Sequence, residues 1–310
     1  MTLAKARAVA LVSYGAIFSW SFQANGLPVA RLAVLGWVGG AFLVGNIGQP
    51  LAKQRQMVVD LVLYASMWLA YDYSRGVADS FGFPLQVEAP RNIDRAMFLG
   101  TDPNIWMQER FLETSVRWYD VLGSLVYFTH FFVPVATSVY LWIRFRDRWL
   151  RYIRRFATVL FAGVLTYVVL PTAPPWMASS TKHPYQIMEP LSRPTGRGWN
   201  ELGLETVSSV LLKGQQWANP TAAIPSLHAA FALFVVVFFW TRMPNSWWRG
   251  ISLLFPFAMA VTLVYFAEHY VIDIVAGWLF VAGSFWFWGR WESRRSVVTV
   301  TPTPTDPAVA

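Results

Sequence analysis

The segment PTAAIPSLHAAFALFVVVFFW, residues 220–240, passes within a few positions from a proline-flanked polar stretch to an unbroken apolar run. The polar part ends with Ser226 and His228, and no charged side chain follows up to Trp240. Such a run is typical of a helix in a lipid bilayer, where every backbone polar group must be bonded within the helix. The sequence therefore predicts a membrane helix that carries an ionisable imidazole in its first turn.

The composition extends this prediction to the whole chain. Of its 310 residues 55% are hydrophobic and only 14% are charged, which leaves too few polar side chains to cover a soluble domain of this size. We predict an all-α fold, a polytopic transmembrane helix bundle of about eight spans. The eight apolar segments are 6–24, 29–48, 56–75, 121–143, 156–171, 223–240, 250–267 and 270–289.

The basic residues set the orientation of the predicted bundle. Six arginines lie within residues 144–155, between two apolar segments, and basic loops of this kind stay in the cytoplasm. Alternation from that loop leaves both termini cytoplasmic, in a multi-pass protein of the plasma (inner) membrane. The basic residues behind the formal net charge of +8 thus lie largely in loops at the membrane surface. We therefore expect no nucleic-acid partner.

The same topology divides the chain into three parts. Residues 1–50 are expected to form two N-terminal transmembrane helices, and residues 51–290 a catalytic membrane domain. Loops 76–120 and 172–222 of that domain face the extracytoplasmic side. Residues 291–310 form a disordered cytoplasmic tail. The first segment also has the features of a secretory signal peptide, so its cleavage stays open.

Candidate catalytic residues lie at the outward ends of two predicted helices. His228 and His269 both sit at such N-termini, where unpaired amides and the helix dipole favour an anion such as phosphate. Asp273 follows His269 by four residues and therefore shares its helix face. A carboxylate in that position fixes the tautomer of the imidazole and stabilises its cation, which suits a nucleophilic or general-base histidine.

Other interpretations of these residues stay open. His269, Asp273 and Glu268 have donor types that several divalent metals accept, although a third well-spaced ligand is not evident. His130 lies in the middle of an apolar segment, where a hydrogen-bonded packing role is the usual one. The chain has no cysteine, which excludes thiolate nucleophiles and Cys-ligated metals.

Four motifs together resemble a known family. PSLHAAF (225–231) and HYVIDIVAG (269–277) are similar to the second and third signature motifs of the phosphatidic acid phosphatase type 2 superfamily. PTAPPW (171–176) and IDRAMFLGTDPNIWMQ (93–108) resemble its inositol phosphorylceramide synthase branch, which acts as an inositolphosphotransferase. The resemblance covers roughly residues 70–285, and the ordered set of motifs is more specific than any single one.

The resemblance implies a fold and a set of roles. It implies a six-helix core made of the third to eighth spans, with His269 as the nucleophile, Asp273 as its orienting group and His228 as the acid that protonates the leaving oxygen. Ser226 would bind the phosphate. No metal and no other cofactor is implied. Trp176 and Tyr270 are expected to shape substrate access.

The chain also departs from the phosphatase pattern. The first motif, a lysine and then Arg-Pro after six residues, is absent, and Leu263 occupies the place of the third motif's arginine. A pentavalent phosphorus centre still needs cations around it. We expect them among the outer-side cations, above all Arg75, Lys182 and Arg193, with Arg91, Arg95 and Arg197 as further candidates.

Three functions are compatible with this pattern. The favoured one is a membrane phosphotransferase that moves a phosphate-containing headgroup, by resemblance phosphoinositol from phosphatidylinositol, to a lipid or glycan acceptor through a phosphohistidine. The second is a lipid or polyprenyl phosphate phosphatase, in which water is the acceptor. The third is a transporter or lipid-binding protein that uses the polar cluster as a substrate or proton site.

Overall fold

The computed structural model describes residues 2–26, 28, 31–182, 186–216 and 219–298, and helices are the main regular secondary structure in these ranges. No strand occurs in these ranges, so the predicted all-α class is confirmed. The helices are α1 (Leu3–Asn25), α2 (Arg31–Gly45), α3 (Leu51–Gly76), α4 (Glu88–Met97), α5 (Pro103–Phe111), α6 (Trp118–Arg144), α7 (Arg146–Val169), α8 (Pro175–Ala178), α9 (Arg197–Glu201), α10 (Glu205–Gln216), α11 (Leu227–Phe239), α12 (Ser246–Ser252), α13 (Leu254–Tyr265) and α14 (Val271–Val298).

The chain divides into two compact units. One comprises residues 1–73 with 209–217, and the other residues 74–208 with 218–310. In the first unit α1 packs against α2 through aromatic rings: Phe18 meets Trp37 edge to face at 4.9 Å between ring centroids, and the Tyr14 hydroxyl donates to the Trp37 carbonyl. Most of α3 belongs to this unit, whereas the family resemblance places the third span in the catalytic core.

Helix α11 forms the centre of the second unit. It contacts α6, α7, α13 and α14, and its apolar residues are therefore buried around most of its circumference. The small residues Ala229 and Ala232 lie in its first half and Phe234 and Phe238 in its second half, so neighbouring helices can approach closely near its start and pack against rings further on. This central position brings the first turn of α11, and with it His228, against the other long helices.

Helices α7 and α14 are joined at the end opposite to His228. Arg155, only 8% exposed, forms a bidentate pair with Glu292 at 2.8 and 3.0 Å, and its carbonyl accepts a hydrogen bond from Ser284. The predicted basic loop 144–155 is instead almost entirely helical, since only Phe145 separates α6 from α7. Long arginine side chains allow this because their stems cover apolar surface while their guanidinium groups reach solvent.

Four helical segments of the described chain are long and apolar enough to cross a membrane: Trp118–Arg144, Arg146–Val169, Ser246–Tyr265 and Val271–Arg294. Two shorter apolar helices, Ala33–Gly45 and Leu227–Arg242, fall below the length of a full span. Neither α1 nor α3 is both long and apolar enough by the same measure. Length and hydropathy therefore support a membrane protein but not the full count of eight spans.

The two predicted outer loops contain short helices, and their backbones meet at Thr172. This fully buried residue donates its backbone N–H to the Thr221 carbonyl at 2.7 Å, while Ala173 donates to the Gln86 carbonyl at 2.9 Å. The two Pro-Thr-Ala segments of the sequence, 171–173 and 220–222, are thus aligned side by side. This contact fixes the chain entering the Ser226 and His228 region.

Helix α14 continues to Val298, which lies beyond residue 290, where the sequence predicted that a disordered tail begins. Its C-terminal part carries Arg290, Glu292 and Arg294. These charges end the apolar segment from which the span was predicted, but arginine and glutamate are good helix formers. The rest of the predicted tail, 299–310, lies outside the described residues.

Candidate active site

Two histidines and an aspartate meet at the N-terminal ends of α11 and α14. His269 Nδ1 lies 3.3 Å from Asp273 Oδ2, and His269 Nε2 lies 3.4 Å from His228 Nδ1. The Asp273 carboxylate also accepts the Tyr270 backbone N–H at 3.0 Å, and its side chain is fully buried. An acceptor at Nδ1 fixes the Nδ1–H tautomer of His269, which leaves the lone pair of Nε2 pointing at His228.

A glycine allows the two helices to meet this closely. A Cβ on Gly277 would lie 2.4 Å from the Ser226 carbonyl oxygen, too close for any side chain. One turn earlier on α14, the Asp273 carbonyl accepts the Ser226 backbone N–H at 2.8 Å. The main chains of the two motifs are therefore bonded directly to each other, which sets the spacing of His228 and Asp273.

Ser226 has a structural task in addition to the phosphate-binding role that the resemblance implies. It is the N-cap of α11, where its hydroxyl oxygen accepts the Ala229 backbone N–H at 3.3 Å. The residue is fully buried. An N-cap of this kind stabilises the helix start by about 1 kcal/mol, and it orients the turn that carries His228.

Two N–H groups in the first turn of α14 are already bonded within the protein. Asp94 of α4 accepts the N–H groups of Val271 and Ile272 at 2.7 and 2.9 Å. Burial raises the pKa of Asp94 to about 6, although these two N–H donors favour its ionised form. The N–H groups of Val271 and Ile272 are therefore not free to bind an anion.

A third histidine lies against His228. The ring centroid of His130 is 3.9 Å from that of His228, and Phe231 stacks on His130 with an interplanar angle of 4°. Tyr127, one turn before His130 on α6, also stacks on His228 at 4.9 Å. The sequence interpretation of His130 as a packing residue did not foresee this neighbour, because nothing in the sequence relates α6 to α11.

Two of the three leading cation candidates lie near the histidines. Arg193 and Arg75 both lie within the range of electrostatic interaction with His228, and Arg75 also with His130. Arg193 forms a bidentate pair with Glu268 at 2.6 and 2.9 Å. Its guanidinium carbon stands 4.5 Å above the Trp176 ring. Lys182 is exposed and is not among the cations that interact with His228.

The Arg193 pair also bears on the metal alternative and on Trp176. Glu268, which was considered as a metal ligand, has both carboxylate oxygens engaged by Arg193. Among the described residues, no group of three or more His, Asp or Glu side chains is arranged to hold a metal ion. Trp176 is partly exposed beneath the guanidinium, and its backbone N–H donates to the Ala267 carbonyl at 3.0 Å, a position compatible with the predicted access role.

Tyr270 is placed differently from the prediction. The residue is fully buried in a small core cluster with Ala178 and Met188, and burial raises the pKa of its hydroxyl. Because its side chain does not reach an entrance, the structure gives it no place in substrate access. Its backbone N–H, which bonds to Asp273, is its contact with the site.

Comparison with known proteins agrees with the motifs. The family model described as PAP2 superfamily matches residues 92–287. A phosphoinositol dihydroceramide synthase of Bacteroides thetaiotaomicron is 27% identical over 243 residues, which cover 73% of this chain and 77% of that relative. No solved structure matches the chain.

The matched region contains His130, His228, His269 and Asp273 but not Arg75. It begins in α4 just before Asp94 and ends in α14 beyond Asp273, so the motifs and the geometry coincide. The similarity to a phosphoinositol-transferring relative supports the inositol phosphorylceramide synthase-like branch of the family, and an enzyme of phosphate-ester chemistry. This chain, a helical membrane protein, belongs to the PAP2 superfamily.

Proposed function

We propose that the protein transfers phosphoinositol from phosphatidylinositol to the hydroxyl of a ceramide-type lipid, through a phosphohistidine on His269. The observation that supports this most directly is the row of three side chains, Asp273 to His269 to His228, with contacts of 3.3 and 3.4 Å. A base with a fixed tautomer facing a second imidazole provides a nucleophile and a proton donor without a metal.

In the first step His269 Nε2 attacks the phosphorus of the donor. The N–P bond forms while the bond from phosphorus to the diacylglycerol oxygen breaks, and protonated His228 gives its proton to that oxygen. Asp273 accepts the His269 Nδ1–H and stabilises the positive charge that develops on the ring. Arg193 and Arg75 compensate the charge on the phosphoryl oxygens.

In the second step the acceptor hydroxyl attacks the phosphorus of the phosphohistidine. Neutral His228 removes the hydroxyl proton as the new O–P bond forms, and the N–P bond breaks to restore His269. Donor and acceptor thus exchange one phosphoinositol group, and both histidines regain their starting protonation. The protein needs no co-reactant beyond the two lipids.

One ring must move for this chemistry to occur. At 3.4 Å the nitrogens of His228 and His269 are in direct contact, whereas phosphorus and the leaving oxygen must both fit between them. His228 is the better candidate to move, because its Nε2 has no hydrogen-bond partner among the described residues, whereas His269 is bonded to buried Asp273. We therefore regard this arrangement as the resting state of the site.

The choice of acceptor rests on the relative, whose name specifies dihydroceramide. The placement of the site on the extracytoplasmic side of the inner membrane rests on the basic residues at 144–155, on the opposite ends of the helices. A glycan hydroxyl or water as the acceptor has no comparable support, since no observation on this chain favours either.

Product analysis tests the proposal. Purified protein in vesicles containing phosphatidylinositol labelled in the inositol is given ceramide or dihydroceramide, and the products are separated by chromatography. We expect label in phosphoinositol ceramide and one equivalent of diacylglycerol for each turnover. Release of free inositol phosphate as the sole product, at the same rate with and without ceramide, would make the protein a hydrolase and refute the transfer.

The covalent intermediate is tested by trapping. Protein mixed with donor labelled in phosphorus and no acceptor should retain acid-labile, alkali-stable label, as expected for phosphohistidine, and His269→Ala should abolish both label and turnover. His183→Ala is the matched control, because it removes a histidine that has no part in the proposed chemistry. Turnover by His269→Ala at more than a few per cent of wild type would exclude this nucleophile.

A further inference from the structure

The turn that carries His269 has an unusual backbone. It joins α13 to α14 through residues 266–270, and Ala267 within it has a φ of 55°. Residues with a Cβ rarely adopt this left-handed conformation, and they keep it only when the surroundings determine it. Contacts from outside the turn must therefore hold the peptide that presents the nucleophile.

Asn104 of α5 provides the most direct of these contacts. Its side-chain amide Nδ2 donates to the Val264 carbonyl at 2.9 Å and to the His269 carbonyl at 3.1 Å. The residue is fully buried, so the two bonds are not exchanged for bonds to water. A single side chain thus connects the last turn of α13 to the residue that bears the imidazole.

Neighbouring polar side chains hold the adjacent backbone but not His269 itself. Gln108, one turn further on the same face of α5, donates to the Tyr265 carbonyl at 2.9 Å and to the Ser192 carbonyl at 2.8 Å. Asp94 of α4 accepts two N–H groups at the start of α14. Carbonyl groups before the helix and amide groups within it are therefore held from separate elements.

We propose that Asn104 is a positioning residue for the nucleophile: by fixing the His269 carbonyl, it sets the direction in which Nε2 faces the phosphorus. This inference rests on the proposed function, because it takes His269 as the attacking group. The side chain acts through the backbone and does not touch substrate. It therefore affects the chemical step and leaves the binding of the lipid donor unchanged.

Gln108 offers a matched control for this proposal. Both residues lie on one face of α5, and each donates two bonds to backbone carbonyls, but Asn104 alone of the two contacts His269. Asn104→Leu and Gln108→Met keep the approximate side-chain volumes and remove the donors. If the bonds merely attach α5 to the bundle, the two variants should lose activity to the same degree.

The measurement is the single-turnover release of diacylglycerol, together with KM for the donor and thermal unfolding. We expect Asn104→Leu to slow release by about 10- to 100-fold, the scale of a misplacement near 1 Å, with KM changed less than threefold. Gln108→Met should slow release less than threefold at a comparable loss of thermal stability. Equal slowing in both variants, or a KM effect alone, overturns the proposal.

A second substitution tests the link to the strained turn. Glycine adopts positive φ without steric cost. Adding Ala267→Gly to the Asn104→Leu variant should therefore raise its rate of diacylglycerol release at least threefold. No increase in that rate contradicts the proposal. If Asn104→Leu does not fold, Asn104→Ser, which retains one donor, takes its place with the same expectations. Retained turnover in His269→Ala overturns the proposed function and this inference together. If His269→Ala loses turnover but Asn104→Leu and Gln108→Met are slowed equally, this inference alone is overturned.

Discussion

The close approach of α11 and α14 makes Gly277→Ala the most informative single substitution. The added Cβ would lie 2.4 Å from the Ser226 carbonyl oxygen and 3.3 Å from its carbonyl carbon. Both atoms belong to the backbone and cannot rotate away, and ordinary van der Waals contact begins at 3.4 Å. The helices must therefore separate by about 1 Å at this point. The Ser226 N–H to Asp273 carbonyl bond, one turn away, lies directly in the affected region.

This separation displaces His228 from His269. A misplacement of 1 Å between reacting groups costs on the order of 10²-fold in rate, or about 2.7 kcal/mol of activation free energy. Forcing an extra methyl group into a packed interior lowers the free energy of unfolding by about 1–3 kcal/mol. We therefore expect Gly277→Ala to lose most of its turnover while a large fraction of the protein stays folded.

The assay is phosphoinositol transfer at saturating lipid, read beside thermal unfolding in the same detergent. Gly283→Ala provides the control, because Gly283 lies on the same helix and a Cβ there meets no atom within 4 Å. It should match wild type in rate and unfold at the same or a higher temperature, since alanine favours a helix more than glycine does. Turnover by Gly277→Ala within twofold of wild type would show that the spacing of α11 and α14 does not control the chemistry.

Three further predictions concern charged groups of the site. Asp273→Asn should lower kcat by about 10³-fold or more with folding retained, because the amide cannot stabilise the imidazolium; a loss under tenfold would contradict the orienting role. Arg193→Lys keeps the charge but loses the fork that pairs with Glu268, so KM for the donor should rise about tenfold, and an unchanged KM would remove Arg193 from substrate binding. Because the pKa of Asp94 is raised to about 6 from 3.8, turnover should fall as the pH drops through 6 and the α14 cap is protonated. The folded state binds this proton more tightly than the unfolded chain, so the contribution of Asp94 to stability declines as the pH rises from 3.8 to 6. Acid should therefore inactivate the protein before it unfolds it. Parallel loss of turnover and of folded protein on acidification would refute this account.

Much of the helical fold could be predicted from the sequence, because lipid-facing helices are uniformly apolar. The span predicted at 121–143 lies within α6, and the span predicted at 270–289 begins one residue before α14 and otherwise lies within it. The errors arise where a helix continues past its apolar part, as at the start of α7, where the basic run 146–155 is helical. Hydropathy reports the environment of a segment and not its backbone, so it cannot locate such ends.

The site was predictable only where its geometry is local. The four-residue spacing of His269 and Asp273 places the two side chains on the same helix face, so their contact could be predicted. The resemblance of the two motifs to the family suggested His228 as their partner. The pairing of Arg193 with Glu268 and the bonds from Asn104 to the 264–269 backbone depend on how loops cross, over sequence separations of 75 to 165 residues. No periodicity or charge pattern carries that information.

The short length of α11 has a consequence for the depth at which the reaction takes place. Its thirteen residues and the three of the following 3-10 turn reach about 24 Å at 1.5 Å per residue, whereas a bilayer's hydrocarbon slab is roughly 30 Å thick. A phosphate that reaches the first turn of α11 must either sink beneath the plane of its neighbouring headgroups or meet a locally thinned leaflet. In the first case the scissile bond lies where water is scarce and lipid hydroxyls are at hand, which favours exchange between lipids over hydrolysis.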